Sequence, residues 1–360
     1  MLLQVKDLQT SFFTPAGEVK AVSKISFNLD RGKVLGIVGE SGSGKSVTAY
    51  SILQILSHPG KIIGGSVKIE EQLEVDGETK TVETELVGAG EDVLHRIRGK
   101  KVSIIFQDPM TSLNPVFKIG YQLTEAIRLH TNRDKEQARE RAIEMLSLVG
   151  INEPEKRLNQ YPHELSGGMR QRVMIAMALS CEPDILICDE PTTALDVTIQ
   201  AQILELMQKL QKELGMAIIM ITHDLGVIAQ MCDEVIVMYA GKIVERGIIE
   251  EIFYNPKHEY TKGLLQSIPT FNKDKKRLQP IEGTPVDLLN LPEGCSFAPR
   301  CKNAMKICLK STPPEMFIND NHCSSCWMNV KEMSESGEIK LKPEVEDGPF
   351  YVNDNEGEEK

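Results

Sequence analysis

The run Gly39-Glu40-Ser41-Gly42-Ser43-Gly44-Lys45-Ser46 constrains this chain more than any other stretch. Its spacing is G-x-x-x-x-G-K-S; the apolar segment Val34-Leu35-Gly36-Ile37-Val38 precedes it, and a helix-compatible segment begins near Val47. Strand, glycine-rich turn and helix in that order make a phosphate cradle. The glycines let backbone N–H groups converge on phosphate oxygens, and the helix N-terminus adds its dipole. Lys45 is then expected to bridge the β- and γ-phosphates, and the Ser46 hydroxyl to ligate magnesium. Gly-Ser runs also serve as flexible loops. The β-branched strand in front and the Lys-Ser pair behind favour the cradle, so the chain reads as a nucleoside triphosphatase. Gly39, Ser41, Gly42, Ser43, Gly44, Lys45, Ser46 and Val47 are its expected nucleotide-binding residues.

With 360 residues, 41% of them hydrophobic, the chain can bury one large α/β domain and carry an appendage. No stretch approaches the roughly 18 consecutive apolar residues of a membrane span. Met1-Leu2-Leu3-Gln4 leads into a strand-like segment without a signal-peptide pattern, so the chain is expected in the cytoplasm. The net charge of −11 is concentrated at one end: Glu344 to Lys360 holds seven acidic residues and one lysine, −6 in all. That tail, within 331–360, is expected to be disordered and solvating. The rest is near balance, which argues against broad nucleic-acid binding. Of the eight cysteines, Cys181, Cys188 and Cys232 lie in apolar surroundings, whereas five crowd between Cys295 and Cys326. In a reducing compartment such a cluster holds a metal or metal cluster more readily than disulfides.

Leu2 to Phe13 reads as an edge strand and Val19 to Leu29 as another. Phe12, near the end of the first, has an aromatic face suited either to an adenine or to ordinary packing. Ser66 to Glu70 and Thr81 to Leu86 alternate around the turn signal Asp76-Gly77, which predicts an antiparallel β-subdomain. Lys101 to Phe106 is a strand ending at Gln107-Asp108-Pro109, followed by the turn-rich Thr111 to Pro115. From 115 to 165 the period becomes helical, with Ala138, Ala142, Met145 and Val149 on one face: a helical insert. Ile185 to Glu190 is a short buried strand ending in the two carboxylates Asp189 and Glu190; Val197 to Leu214 is a helix; Ala217 to Thr222 is a strand that ends in His223-Asp224. Carboxylates and a histidine at strand ends belong where phosphate sites form in a parallel sheet. Beyond 255, prolines at 256, 269, 280, 285, 292, 299, 313 and 314 predict a loop-rich appendage over 256–330.

Cradle, Gln107, Leu165-Ser166-Gly167-Gly168-Met169, Asp189-Glu190 and His223 occur in one order, and that order resembles the ATPase subunits of ABC transporters over residues 1–255. The resemblance implies an α/β P-loop ATPase fold with a mixed sheet, an antiparallel β-subdomain and a helical subdomain. It places Phe12 at the adenine-stacking position and Gln107 in the loop that reaches magnesium and the attacking water. Asp189 would hold magnesium, Glu190 would be the general base and His223 the γ-phosphate sensor. Ser166, Gly167 and Gly168 match the signature that closes on the nucleotide of an opposite subunit, and Ala194-Leu195-Asp196 matches the inter-subunit loop. Asp196 in that position also suits a helix N-cap. A dimer with shared ATP sites is therefore implied.

Asn255-Pro256-Lys257-His258-Glu259-Tyr260-Thr261-Lys262 and the cysteine spacing C-x5-C-x6-C, then C-x2-C, resemble the extension of oligopeptide and dipeptide importer ATPases. Glu259 departs from that pattern, which has proline there. The resemblance implies ATP-driven import of short peptides at the cytoplasmic face of the membrane. Its implied partners are a second, distinct ATPase, two membrane permeases and an extracytoplasmic peptide-binding protein. It also implies a [4Fe–4S] cluster on Cys295, Cys301, Cys308 and Cys326; zinc is the rival, since four soft ligands also suit a tetrahedral site and His322 or Cys323 could complete one. Nickel or glutathione uptake is a second reading within transport. A soluble ABC protein acting on ribosomes or nucleic acid is a reading from another class, disfavoured by a single cradle and no sustained heptads.

Overall fold

A computed structural model describes residues 1–75, 78–108, 112–192, 196–267 and 280–330. The Asp76-Gly77 turn, Pro109 to Thr111, Ala194-Leu195 and the acidic tail therefore lie outside the described residues.

β1 (Leu3–Thr14), β2 (Gly17–Leu29), β4 (Gly60–Val75) and β5 (Glu78–Glu85) form an antiparallel sheet in the order β2-β1-β4-β5. β1 is thus an interior strand, paired with β2 on one side and β4 on the other, and the edge-strand expectation for it is corrected. Its loose alternation comes from register shifts between Val5 and Ser11, which break the period of two without exposing the strand.

The second sheet runs β11-β12-β10-β9-β3-β8-β7-β6. Its parallel part is β9 (Glu234–Tyr239), β3 (Val34–Val38), β8 (Ala217–Thr222), β7 (Ile185–Asp189) and β6 (Val102–Ile105). β3, β7 and β8 are buried at every residue, which is why they read as continuous apolar runs rather than alternating ones. Their side chains still divide by face. Val34, Val38, Leu186, Ile218 and Met220 join one apolar layer; Leu35, Ile37, Ile185, Ile187, Ile219 and Ile221 join the other.

Helix α1 (Lys45–Leu53) follows the cradle, and α2 (Glu91–Ile97) precedes β6. The insert contains α3 (Ile119–His130), α4 (Lys135–Leu148) and the short α5 (Pro154–Arg157). Ala138, Ala142, Met145 and Val149 are all fully buried in the first apolar layer, as their spacing predicted. Then come α6 (Gly167–Leu179), α7 (Val197–Leu214), α8 (Leu225–Met231), α9 (Ile249–Tyr254) and α10 (Glu259–Gln266). Among the described residues no helix is long and apolar enough to cross a membrane.

The main sheet does not stop at β10 (Lys242–Ile248). β12 (His322–Ser324) adds antiparallel to β10, and β11 (Met316–Asn319) to β12. The join is polar and buried: His322 Nε2 meets Glu245 Oε1 at 2.7 Å with both side chains inaccessible, and Nδ1 lies 3.3 Å from Glu251.

Candidate nucleotide site and cysteine pocket

β3, β8, β7 and β6 are neighbours, and their C-terminal ends deliver the candidate residues side by side. After β3, Gly39 has φ +155° and Gly44 φ +102°. A Cβ on Gly39 would fall 2.2 Å from the Met238 carbonyl oxygen, and one on Gly44 2.4 Å from that of Ala21. Neither position admits a side chain. Ser43 Oγ is buried in the loop without a hydrogen-bond partner, an orphaned group suited to an incoming phosphate oxygen. Lys45 donates from Nζ to the carbonyl oxygens of Gly39 at 2.8 Å and Glu40 at 3.0 Å. Burial lowers its pKa, and the carboxylates of Glu190, Asp189 and Glu40 oppose that shift. Ser41 and Gly42 are exposed at the tip, and Val47 is half-buried in α1.

At the end of β7, Asp189 is 1% exposed. Its Oδ1 accepts from Ser46 Oγ at 2.8 Å and its Oδ2 from the Tyr50 hydroxyl at 2.9 Å. Burial raises the carboxyl pKa, while the Ser46 and Tyr50 hydrogen bonds pull it back. Ser46 Oγ and the Asp189 carboxylate are adjacent hard oxygen donors beside the cradle, a donor set that fits magnesium with its remaining positions filled by phosphate and water. Glu190 is a non-glycine residue at φ +48° whose N–H donates to Ile221 at 2.8 Å. Its carboxylate is held at both oxygens, by Gln107 Nε2 at 3.1 Å and by His223 Nδ1 at 3.2 Å. Six expected residues, Lys45, Ser46, Gln107, Asp189, Glu190 and His223, are thereby brought together.

The other expected residues serve locally within this one chain. Phe12 is half-buried in β1 against Gly60, where a Cβ would come within 2.8 Å of its Cε1. Ser166 caps α6 by accepting the Met169 N–H at 3.3 Å; it and Gly167 are exposed. Gly168 packs close to Ile199 at the start of α7. Asp196 caps α7, accepting the Ile199 N–H at 2.9 Å. Tyr50 and Gln171 were missed by sequence reasoning. Tyr50 lies one helical turn after Ser46, an i, i+4 spacing that places both on Asp189 and was readable. Gln171 Nε2 donates to the Pro191 carbonyl at 2.6 Å, tying α6 to the segment just after Glu190; no local pattern signals that contact.

In the appendage Cys295, Cys301, Cys308 and Cys326 line one pocket, together with Phe297 and Trp327. Each sulfur accepts a backbone N–H: Cys295 from Phe297 and Ala298, Cys301 from Asn303, Cys326 from Met328, and Cys308 from Met305 at 3.4 Å. Burial pushes the Cys295 and Cys301 thiols up, and that of Cys326 to about 11. Among the described residues no three His, Cys, Asp or Glu side chains converge closely enough to hold a single metal ion. His322 is engaged by Glu245 and Glu251, and Cys323 lies on β12 within hydrogen-bonding reach of Arg246. Both therefore lie outside the cysteine pocket, which corrects the zinc alternative completed by either of them.

Comparison with known proteins agrees with this geometry. Residues 22–193 match the ABC transporter family, and residues 244–308 match the oligopeptide/dipeptide transporter C-terminal region. The chain is 53% identical over 329 residues to the oligopeptide transport ATP-binding protein OppD of Bacillus subtilis, covering 91% of this chain and 88% of that protein. It is 49% identical over 328 residues to the dipeptide transport ATP-binding protein DppD of Bacillus subtilis, covering 91% and 94%. Among solved structures, a dimeric ATP-binding cassette in a post-hydrolysis state with ADP and Pi is 26% identical with a TM-score of 0.58, over 69% of this chain and 99% of that one. A component of an ABC transporter complex from Clostridium perfringens is 28% identical with a TM-score of 0.57, over 71% and 91%. The chain is an ATPase that belongs to the ATP-binding subunits of ABC transporters, in the branch that carries the oligopeptide/dipeptide transporter C-terminal region.

Proposed function

We propose that this ATPase drives import of short peptides as one of two distinct cassettes docked on the cytoplasmic side of two membrane permeases fed by an extracytoplasmic peptide-binding protein. The observation that carries the ATPase chemistry is Glu190, held at both carboxylate oxygens by Gln107 and His223 next to the Ser46–Asp189 pair. Lys45 leaves the loop carbonyls to meet the β- and γ-phosphates. Ser46 and Asp189 would hold magnesium, which would supply positive charge to offset the charge developing on the γ-phosphoryl group. Glu190 accepts a proton from the attacking water at its carboxylate, Gln107 orients that water, and His223 contacts the γ-phosphate. Phe12 stacks on the adenine. Ser166, Gly167 and Gly168, exposed or half-exposed at the head of α6, close on the partner's nucleotide, and Asp196 lies in the loop between the cassettes.

Docking on permeases is supported by a patch beyond Gln107. Val116 is 70%, Phe117 44% and Tyr121 51% exposed, and the two rings stack with centroids 4.9 Å apart. Apolar groups so exposed beside a catalytic loop mark a protein contact. Peptide as cargo follows the C-terminal region and the names of the relatives. We assign residues 1–255 to the nucleotide-binding unit and 256–330 to the peptide-importer appendage.

For the cysteine pocket the reading is a [4Fe–4S] cluster on Cys295, Cys301, Cys308 and Cys326. Zinc needs its ligands converging at about 2.3 Å on one point, whereas a cubic cluster takes thiolates spread around a hollow. Four cysteines lining one pocket, each with an N–H directed at its sulfur, support the second arrangement. The test of function is reconstitution of the full transporter in vesicles. Stimulation of ATP hydrolysis by short peptides and their uptake are expected; stimulation by nickel or glutathione instead overturns the cargo assignment. Iron and sulfide content with visible charge-transfer absorption after anaerobic purification supports the cluster, and stoichiometric zinc without iron rejects it.

A further inference from the structure

Among the described residues, the cradle and the cysteine appendage meet at Glu40. Glu40, the second residue of the glycine-rich run, is gripped on three sides. Its carboxylate takes a two-pronged ion pair from Arg300, Nη1 to Oε2 at 2.6 Å and Nη2 to Oε1 at 3.0 Å. Its N–H donates to the Tyr260 hydroxyl at 2.8 Å, and its carbonyl accepts from Lys45 Nζ at 3.0 Å.

The two gripping residues are themselves fixed. Tyr260, in α10, is fully buried and its ring packs against Tyr239 and Phe297. The Arg300 side chain is 5% exposed. Its Nε donates to the Glu282 carbonyl at 3.1 Å and its Nη2 lies 3.4 Å from that of Ile281. Its guanidinium lies 5.9 Å from the centroids of Tyr239 and Phe297. Phe297 lines the cysteine pocket, and Cys301 is the next residue in the chain.

A guanidinium held this way has few alternatives, and a bidentate pair fixes direction as well as distance. The Glu40 peptide is therefore oriented from the appendage. Through its carbonyl, so is the resting place of Lys45.

We propose that Arg300 and Tyr260 are positioning residues through which the appendage sets the affinity of the cradle for ATP. Both contact the cradle at Glu40. Their action runs through Glu40 to Lys45, so it affects binding of the nucleotide more than the chemical step, raising KM while leaving kcat in place.

The experiment measures the Kd of the full chain for a non-hydrolysable ATP analogue with magnesium, alongside thermal melting and the KM and kcat of the assembled transporter. Arg300→Met is expected to weaken analogue binding about tenfold, within the usual span of coupling between sites. Arg300→Lys, which keeps the charge and loses the fork, should restore part of that loss. Glu40→Gln should match Arg300→Met, and the double variant should be no weaker than either single one, since all remove the same contact. Tyr260→Phe deletes one hydroxyl and keeps the ring, so it tests the idea should the arginine variants fold poorly; about a threefold loss is expected. A purely architectural role predicts lower melting temperatures with Kd unchanged. Kd values within twofold of the parent in the folded variants, or strictly additive effects of Glu40→Gln and Arg300→Met, overturn the proposal.

Discussion

Glu190 holds φ at +48°, a conformation that costs a non-glycine residue about 1–3 kcal/mol. The strain is sustained by the N–H bond to Ile221 and by two side-chain partners at the carboxylate, so the residue is over-determined for its position. Replacing it by glutamine keeps the shape and removes the base we propose. In Glu190→Gln, ATP binding should be retained while turnover of the assembled complex falls by about 10² to 10⁴; single-turnover hydrolysis compared with analogue affinity checks the split. Gly39→Ala should do the opposite. Its Cβ meets the Met238 carbonyl at 2.2 Å, which forces the loop to move, and nucleotide affinity should drop at least tenfold by calorimetry. These residues were legible because cradle, carboxylate pair and histidine each lie within one short stretch of chain. Glu40's grip by Arg300 is a different matter. An arginine 260 positions along from a glutamate carries no local mark of what it touches.

Elements were read well where their period was clean. α7 and β8 have the expected bounds, and the buried face of α4 is the one its spacing showed. β1 was misplaced because its register shifts blur alternation, and because whether a strand is interior depends on partners the strand does not encode. β11 and β12 went unrecognised for a related reason. They span four and three residues, too short for a period, and exist by pairing, β12 on β10 and β11 on β12. Their anchor gives a prediction. Glu245 is buried and accepts His322 Nε2 together with the N–H groups of Lys257 and His258. His322→Ala leaves that carboxylate short of a partner, so the protein should lose roughly 3 kcal/mol of stability. Denaturant unfolding measures this, and protease cleavage in the appendage should accelerate.

Across the whole molecule, one sheet is sandwiched between two apolar layers, and its C-terminal edge carries the chemistry while the appendage extends the opposite end of the strand order. The exposed patch of Val116, Phe117 and Tyr121 is the docking surface we propose for the permeases. Phe117→Ser with Tyr121→Ser should leave melting of the isolated chain within about 1 °C, as surface changes do, yet abolish co-purification with the permeases. The sequence by itself determined the P-loop, the order of the motifs and the helical and strand periods, because each rests on residues close together in the chain or on a fixed spacing. Only the tertiary structure decided that Glu190 is shared by Gln107 and His223, that His322 and Cys323 face away from the cysteine pocket, and that the appendage grips the cradle at Glu40. Each of these joins residues dozens to hundreds of positions apart, and such contacts follow from how sheets and layers pack rather than from any pattern a stretch of sequence can hold.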